Sequence, residues 1–168
     1  MDPRRRLFLR GTLPRGDEPP TPPRPPWALR PDAAFTARCT RCGDCLRACP
    51  QQVLMAGDGG FPEIRFTQRG CSLCGDCRAA CPSGALDRSA AEPFAERVQV
   101  APHCLAERGV ECRVCAEACD ARALRFRPQP GGVWRLQVAL DQCSGCGACV
   151  APCPVGAITL AQPGPQRA

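Results

Sequence analysis

Sixteen cysteines constrain this chain more than any other feature, and they fall into four groups of four. Three groups share one spacing, C-x2-C-x2-C-x3-C-P. Their members are Cys39, Cys42, Cys45 and Cys49, then Cys71, Cys74, Cys77 and Cys81, and finally Cys143, Cys146, Cys149 and Cys153. Three thiols this close together can bind one face of a metal cluster from a tight loop, while the fourth is displaced toward a second cluster. The spacing therefore limits both the cofactor and the fold.

The three regular groups predict ligands for [4Fe–4S] clusters, because this is the cysteine run of bacterial ferredoxins. A secreted disulfide scaffold fits poorly, since we find no apolar secretory segment near the start. Structural zinc usually takes two separated pairs, often with histidine, and the only histidine is His103. We interpret His103 as a hydrogen-bond donor to a ligand or a surface residue. Iron–sulfur clusters bound by free thiols are expected in a reducing compartment, so we predict that the folded protein lies in the cytoplasm.

The remaining group departs from the regular spacing. It comprises Cys104, Cys112, Cys115 and Cys119, and Asp120 replaces the proline. Seven residues lie between Cys104 and Cys112, five more than in the regular groups, and Glu107, Arg108 and Gly109 make this insertion polar. The group predicts a fourth [4Fe–4S] cluster, with a three-iron or labile cluster, free thiols or another metal left open. We expect the longer loop to expose this site more to solvent.

Crossed ligation, in which the fourth cysteine of each group serves the neighbouring cluster, assigns all sixteen thiols. The four predicted sets are Cys39, Cys42, Cys45 with Cys81; Cys71, Cys74, Cys77 with Cys49; Cys104, Cys112, Cys115 with Cys153; and Cys143, Cys146, Cys149 with Cys119. The sequence leaves the crossing itself open.

Composition indicates that the clusters build the fold. Leu, Ile, Val and Phe make up only 30 of 168 residues, about 18%, a level that with high charge usually favours disorder. Metal ligation must supply the missing free energy of folding. We predict an α+β fold made of two duplicated 2[4Fe–4S] ferredoxin-like units, at 32–92 and 93–168, after a flexible Arg- and Pro-rich arm at 1–31.

Each unit is expected to contain a hairpin between its two cysteine groups. Short strands are predicted at 53–55 and 61–66 in the first unit, and at 124–126 and 133–140 in the second, around Gly-rich turns. Helical turns are predicted after the last cysteines, at 83–86 and 155–158, with Leu86 and Ile158 covering clusters. Residues 83–101 are expected to form a short helix or linker.

The arm carries Arg5-Arg6-Leu7-Phe8-Leu9-Arg10, which looks like the core of a twin-arginine export signal. Such a signal needs an apolar segment next, but prolines and charges follow Gly11, so we do not expect export. The motif instead suggests a docking element in which Arg5, Arg6 and Phe8 contact the protein's own surface or a partner.

The charge of +6 does not indicate a nucleic-acid-binding protein. Each oxidised cube with four thiolates carries about −2, so four of them would bring the loaded chain to about −2. We find no basic helix with interleaved aromatic residues, no apolar run long enough to span a membrane and no catalytic constellation. We therefore predict neither an enzyme nor a membrane-spanning protein.

Beyond the generic cysteine runs, the chain resembles the NapF ferredoxin-type proteins of periplasmic nitrate reductase systems over essentially its whole length. The resemblance rests on residues 4–8, 24–28, 39–45, 57–63, 119–123 and 143–149. The irregular cysteine group and the Arg-rich arm make it specific.

This resemblance implies a cytoplasmic accessory protein whose partner is the catalytic subunit of the reductase, in its immature form before export. The implied role is maturation, through insertion or repair of that subunit's own cluster. Two alternatives stay open: a polyferredoxin that carries electrons to a reductase, and a subunit of a larger oxidoreductase. Clusters of this type suit one-electron transfer.

Overall fold

A computed structural model describes residues 23–162 except 88, 91, 130, 131 and 133. Its helices are short: α1 (Asp32–Arg38), α2 (Asp44–Arg47), α3 (Asp76–Ala79) and α4 (Val114–Glu117). Its strands are β1 (Leu54–Ala56), β2 (Pro62–Ile64), β3 (Arg97–Val100), β4 (Leu124–Pro128), β5 (Trp134–Val138) and β6 (Ile158–Ala161). Single 3-10 turns occur at Asp58–Gly60 and Leu140–Gln142. Elements this short leave most of the backbone in the loops that carry the cysteines.

Three two-stranded antiparallel sheets form from these strands. In the first, β1 pairs with β2 and Leu54 lies opposite Ile64. In the second, β4 pairs with β5 and Leu124 lies opposite Val138. These two sheets confirm the predicted hairpins between the cysteine groups. The third joins β3 to β6, the first and last strands of the second half.

The first half has a counterpart of the β3–β6 sheet, built from residues that the sequence assigns to the arm. Ala28 forms an isolated bridge with Leu86, and the N–H of Leu29 donates to the carbonyl of Ala85 over 3.0 Å. Pro26 is fully buried and Trp27 is only 7% exposed. Residues 24–29 are therefore packed, because burying this apolar stretch outweighs the preference of a proline-rich segment for solvated backbone. Residues 1–22 of the predicted arm lie outside the described residues.

The segments that follow the last cysteine of each half are extended, so the prediction of helical turns there is wrong. Leu86 lies in the bridge and Ile158 begins β6. The small residues allow a tight turn, after which the backbone pairs with the strand that enters the same half. The described part of 83–101 likewise contains β3 and no helix. Leu86 and Ile158 are each 2% exposed.

The apolar core is divided between the halves. A first cluster centres on Phe35, Leu86 and Phe94, and a second on Leu124 and Ile158. Phe94 packs in the first core although the predicted boundary assigns it to the second unit, and the adjacent Pro93 accepts a hydrogen bond from the Trp27 N–H over 2.7 Å. The change from one core to the other therefore falls between Phe94 and β3.

The two halves also touch directly. The N–H of Cys71 donates to the carbonyl of Cys146 over 2.7 Å. Gly70 approaches Ala148 so closely that an added Cβ would lie 2.6 Å from its Cα. Gly147 likewise lies so close to the ring of Phe66 that an added Cβ would lie 2.4 Å from it. This contact brings a cysteine loop of one half against a cysteine loop of the other.

No helix in the described part of the chain combines the length and the apolar character needed to cross a membrane.

Candidate metal-cluster sites

The structure brings the sixteen thiols together in the four predicted sets. Within the first half, Cys45 lies in electrostatic range of Cys39, Cys42 and Cys81, and Cys77 in range of Cys49, Cys71 and Cys74. Within the second, Cys115 is surrounded by Cys104, Cys112 and Cys153, and Cys149 by Cys119, Cys143 and Cys146. Each set takes three thiols from one loop and the fourth from the other loop of the same half. This arrangement agrees with the predicted crossing, and ligation itself stays a prediction.

In the two regular loops of the first half, tight turns followed by one-turn helices place the three neighbouring thiols. Gly43 has φ +78° and precedes α2, which carries Cys45. Gly75 has φ +83° and does the same for α3 and Cys77. A left-handed residue turns the chain within one step, and glycine adopts that conformation without steric cost. In the irregular group Arg113 stands at this point with φ −124°, so its loop follows a different path.

Burial makes the central thiol of each set hard to ionise in the absence of metal. It raises the pKa of Cys45 and Cys115 to about 11 and the pKa of Cys77 and Cys149 to about 12, with a further increase from the neighbouring thiols. Burial also raises the pKa of Cys71 to about 11. Thiolates are the form that binds metal, so iron must displace protons from these sites.

Hydrogen bonds to sulfur stabilise the thiolate of the last cysteine in each half, Cys81 and Cys153. Burial tends to raise the pKa of Cys81, but hydrogen bonds from the Leu86 backbone and the Ser83 hydroxyl outweigh it and lower that pKa below its usual range. In the second half the Ala157 N–H donates to Cys153 Sγ over 3.2 Å. Donors aimed at ligand sulfur stabilise the thiolate and tune a bound cluster.

The irregular group is more buried than expected. Cys104 is only 7% exposed, and Cys112 is partly buried, whereas Cys42 and Cys74, its counterparts in the first half, are exposed. The inserted residues fold into a compact turn in which the Val110 N–H donates to the Leu105 carbonyl over 2.9 Å. These two thiols are therefore no more exposed than those of the regular loops, and the expected greater exposure is wrong for them.

Two tryptophans near the thiol sets were not identified as functional from sequence. Trp27 lines the cavity shared with Cys49, Cys71, Cys74 and Cys77, and the Arg78 guanidinium lies 4.5 Å from its ring centroid. In the second half Arg113 lies 4.2 Å over Trp134, beside a pocket that includes Cys112. The apolar Pro-Pro-Trp stretch before the first cysteine is the signal that could have indicated Trp27.

The thiol sets fit multi-iron clusters in donor type and arrangement. Each set offers four soft sulfur donors in a pocket with apolar cover, such as Ile158 beside Cys104, Cys115 and Cys153. No three His, Cys, Asp or Glu side chains in the described part of the chain converge closely enough for a single metal ion. His103 is exposed, and Arg5, Arg6 and Phe8 lie outside the described residues.

Comparison with known proteins matches this arrangement. The family model of a 4Fe-4S dicluster domain matches residues 38–85 and again 109–157, together more than half of the chain. The ferredoxin-type protein NapF of Haemophilus influenzae is 49% identical over 137 residues, which cover 82% of this chain and 77% of that protein. The chain belongs to the NapF family of ferredoxin-type proteins. The second domain match begins after Cys104, so this thiol lies outside the matched residues.

Two further relatives extend the comparison. The NapF protein of Escherichia coli K12 is 37% identical and covers 81% of this chain and 82% of its own length. The ferredoxin-type protein NapG of Haemophilus influenzae is 34% identical over 79% of this chain, but only 55% of NapG is covered. The NapF proteins therefore match the chain along most of their length, while NapG contains further sequence. This NapF-family chain is an iron–sulfur protein with a duplicated 4Fe-4S dicluster domain.

Proposed function

We propose that this chain is a cytoplasmic accessory protein that binds the immature catalytic subunit of a periplasmic nitrate reductase and assists insertion or repair of its iron–sulfur cluster before export. The observation that carries the proposal is 49% identity to a NapF protein along 82% of the chain, combined with four complete thiol sets. The role of the NapF family in nitrate reductase systems supplies the partner.

In this proposal all sixteen cysteines are ligands, and each of the four sets holds one [4Fe–4S] cluster. The residues of the chain hold the clusters through thiolates, exclude water with Trp27, Leu86 and Ile158, and direct backbone N–H groups at sulfur. The clusters, when bound, supply one-electron chemistry or serve as iron–sulfur cargo. The predicted units at 32–92 and 93–168 each provide two of the four sites.

The test uses protein loaded anaerobically with iron-57. The loaded chain is mixed with catalytic subunit that lacks its cluster, the two are separated, and iron-57 is measured in the subunit by Mössbauer spectroscopy. Maturation predicts stable association with the cluster-free subunit and appearance of iron-57 as a cluster within it. Anaerobic affinity purification from cytoplasm should recover the same subunit. Loaded chain that neither associates with the subunit nor changes its iron content would contradict the proposal.

A second candidate function, electron carrier, is favoured by the contact between the halves. The hydrogen bond between Cys71 and Cys146 places one thiol set of each half side by side, an arrangement that favours electron transfer between the halves. The same experiment separates the functions. A carrier would reduce the mature subunit rapidly and leave no iron-57 in the cluster-free form.

A further inference from the structure

The outer face of the hairpin β4–β5 is basic and has no counterpart in the first half. Side chains alternate along a strand, so Arg125 and Arg127 share one face of β4, and their partners on β5 are Gln137 and Arg135. We call these four residues the basic face. All of them are exposed. The equivalent pair in β1–β2 is Met55 opposite Glu63, so duplication alone does not explain the arginines.

Arg127 and Arg135 lie directly opposite each other on β4 and β5. Cross-strand neighbours have Cβ atoms about 4.5–5.5 Å apart, and like charges at that distance destabilise a sheet. Within the described residues, no ion pair involves Arg125, Arg127 or Arg135. Arg125 is held through its Nε by the Arg122 carbonyl and through Nη2 by Gln142. Among the described residues, no hydrogen bond or ion pair holds the other two guanidinium groups, which are exposed and accessible to an anion.

The opposite face of the same hairpin covers the thiol sets of the second half. Leu124 is 2% exposed and lines the cavity that holds Cys119, Cys143, Cys146 and Cys149. Phe126 packs against the small core that contains Cys104 and Ala157. A partner seated on the basic face would therefore lie one sheet layer away from two of the proposed cluster sites.

We propose that the basic face docks an acidic segment of a protein partner, with Arg127 and Arg135 binding its carboxylates. Guanidinium forks bind carboxylates in pairs of parallel hydrogen bonds, and a bound carboxylate would relieve the repulsion between the two arginines. Exposed Val138 and Leu140 follow the face in the chain, and mixed apolar and charged surface is typical of protein interfaces. Three exposed arginines beside exposed apolar side chains form a small patch, which fits a short acidic segment better than a long polyanion such as nucleic acid. This inference deepens the proposed function, on which it rests for the identity of the partner.

The first test measures binding to a probe that does not depend on that identity. A fluorescent octaglutamate peptide is titrated into iron-loaded chain at low salt, and anisotropy reports binding. The variant Arg127→Gln/Arg135→Gln should bind about five- to tenfold more weakly, since two charged contacts are lost. The control Arg38→Gln/Arg69→Gln removes two exposed charges from the first half and should bind as the unmodified chain does. Equal weakening in both variants, or none in either, would overturn the proposal.

The second test repeats the titration with the cluster-free catalytic subunit, with a DNA duplex and with anionic phosphatidylglycerol vesicles. Weakened binding of the subunit by Arg127→Gln/Arg135→Gln alone supports the docking face. If the subunit binds both variants equally well, the docking face is wrong while the proposed function stands. If the peptide responds to the substitution but the subunit binds neither the unmodified chain nor the variants, the face stands and the proposed partner is wrong. Tighter binding of DNA or vesicles than of the peptide at equal charge would overturn the choice of a protein partner.

Discussion

Cys104 decides, at the scale of single residues, whether the second half holds one cluster or two. It lies outside the standard domain match, yet the chain folds back to bring it beside Cys112, Cys115 and Cys153. A sequence search for regular spacing misses it because the insertion separates it from the rest of the loop. Its position beside three other thiols indicates a metal site, whereas burial alone is common for a free cysteine.

We predict that Cys104→Ser lowers the iron content from about 16 to about 12 atoms per chain, because one set of four thiols loses a ligand and its cube. Iron quantitation of anaerobically reconstituted protein measures this. His103→Ala, next in the chain and exposed, serves as the control and should keep the full content. Unchanged iron in Cys104→Ser would show that this thiol is not a ligand.

Trp27 and Trp134 form a matched pair that separates packing from cation–π stacking. Both lie under an arginine, but Trp27 is 7% exposed and Trp134 is 40% exposed. Trp27→Ala should cost about 3–5 kcal/mol of packing free energy and speed loss of first-half clusters to a chelator. Trp134→Ala should have a much smaller effect. Visible absorption during chelation follows the loss, and equal rates for the two variants would contradict the packing argument.

At the scale of elements, the sequence predicts pairing between strands that are close in the chain and misses pairing between segments that are far apart. The hairpins β1–β2 and β4–β5 follow from short apolar stretches around Gly-rich turns, and the structure contains both. The bridge between Ala28 and Leu86 joins residues that are far apart in the chain. The proline-rich composition around Ala28 favours solvated backbone, so the sequence does not indicate that this segment packs. The helical turns predicted at 83–86 and 155–158 were wrong for the same reason, because distant pairing overrides local preference.

Repulsion between the like-charged pair Arg127 and Arg135 lowers the stability of the hairpin β4–β5. Replacing Arg135 with Thr removes the repulsion and adds a residue that favours strands, so we predict a gain of about 0.2–1 kcal/mol. At a fixed scan rate, the midpoint for thermal loss of visible absorption should rise by roughly 1–3 °C. Gln137→Thr alters the same face without removing a charge and should give a smaller rise. The difference between the variants should shrink at high salt, and a difference that persists would indicate a cause other than charge.

At the scale of the whole molecule, the contact between the halves depends on residues that the cysteine spacing does not predict. The sets of thiols follow from the spacing, but the hydrogen bond from Cys71 to Cys146 requires that two backbones approach each other across the molecule. Glycines permit that approach by lacking a side chain, and a single sequence gives no sign of which surface each glycine faces.

Gly70→Ala should loosen the contact between the halves while leaving the four thiol sets intact. The added Cβ would lie 2.6 Å from both the Cα and the N of Ala148, and because these atoms are backbone, no side-chain rotation relieves the clash. Small-angle X-ray scattering of iron-loaded protein should show a larger radius of gyration, and proteolysis between Phe94 and β3 should be faster, with iron content unchanged. The control is Gly156→Ala. A Cβ added at Gly156 would meet open space, but Gly156 has φ +62°, so this variant introduces backbone strain without a clash and should keep the compact form. A Gly70→Ala protein as compact and protease-resistant as the unmodified chain would show that the halves do not meet at Gly70 and Ala148.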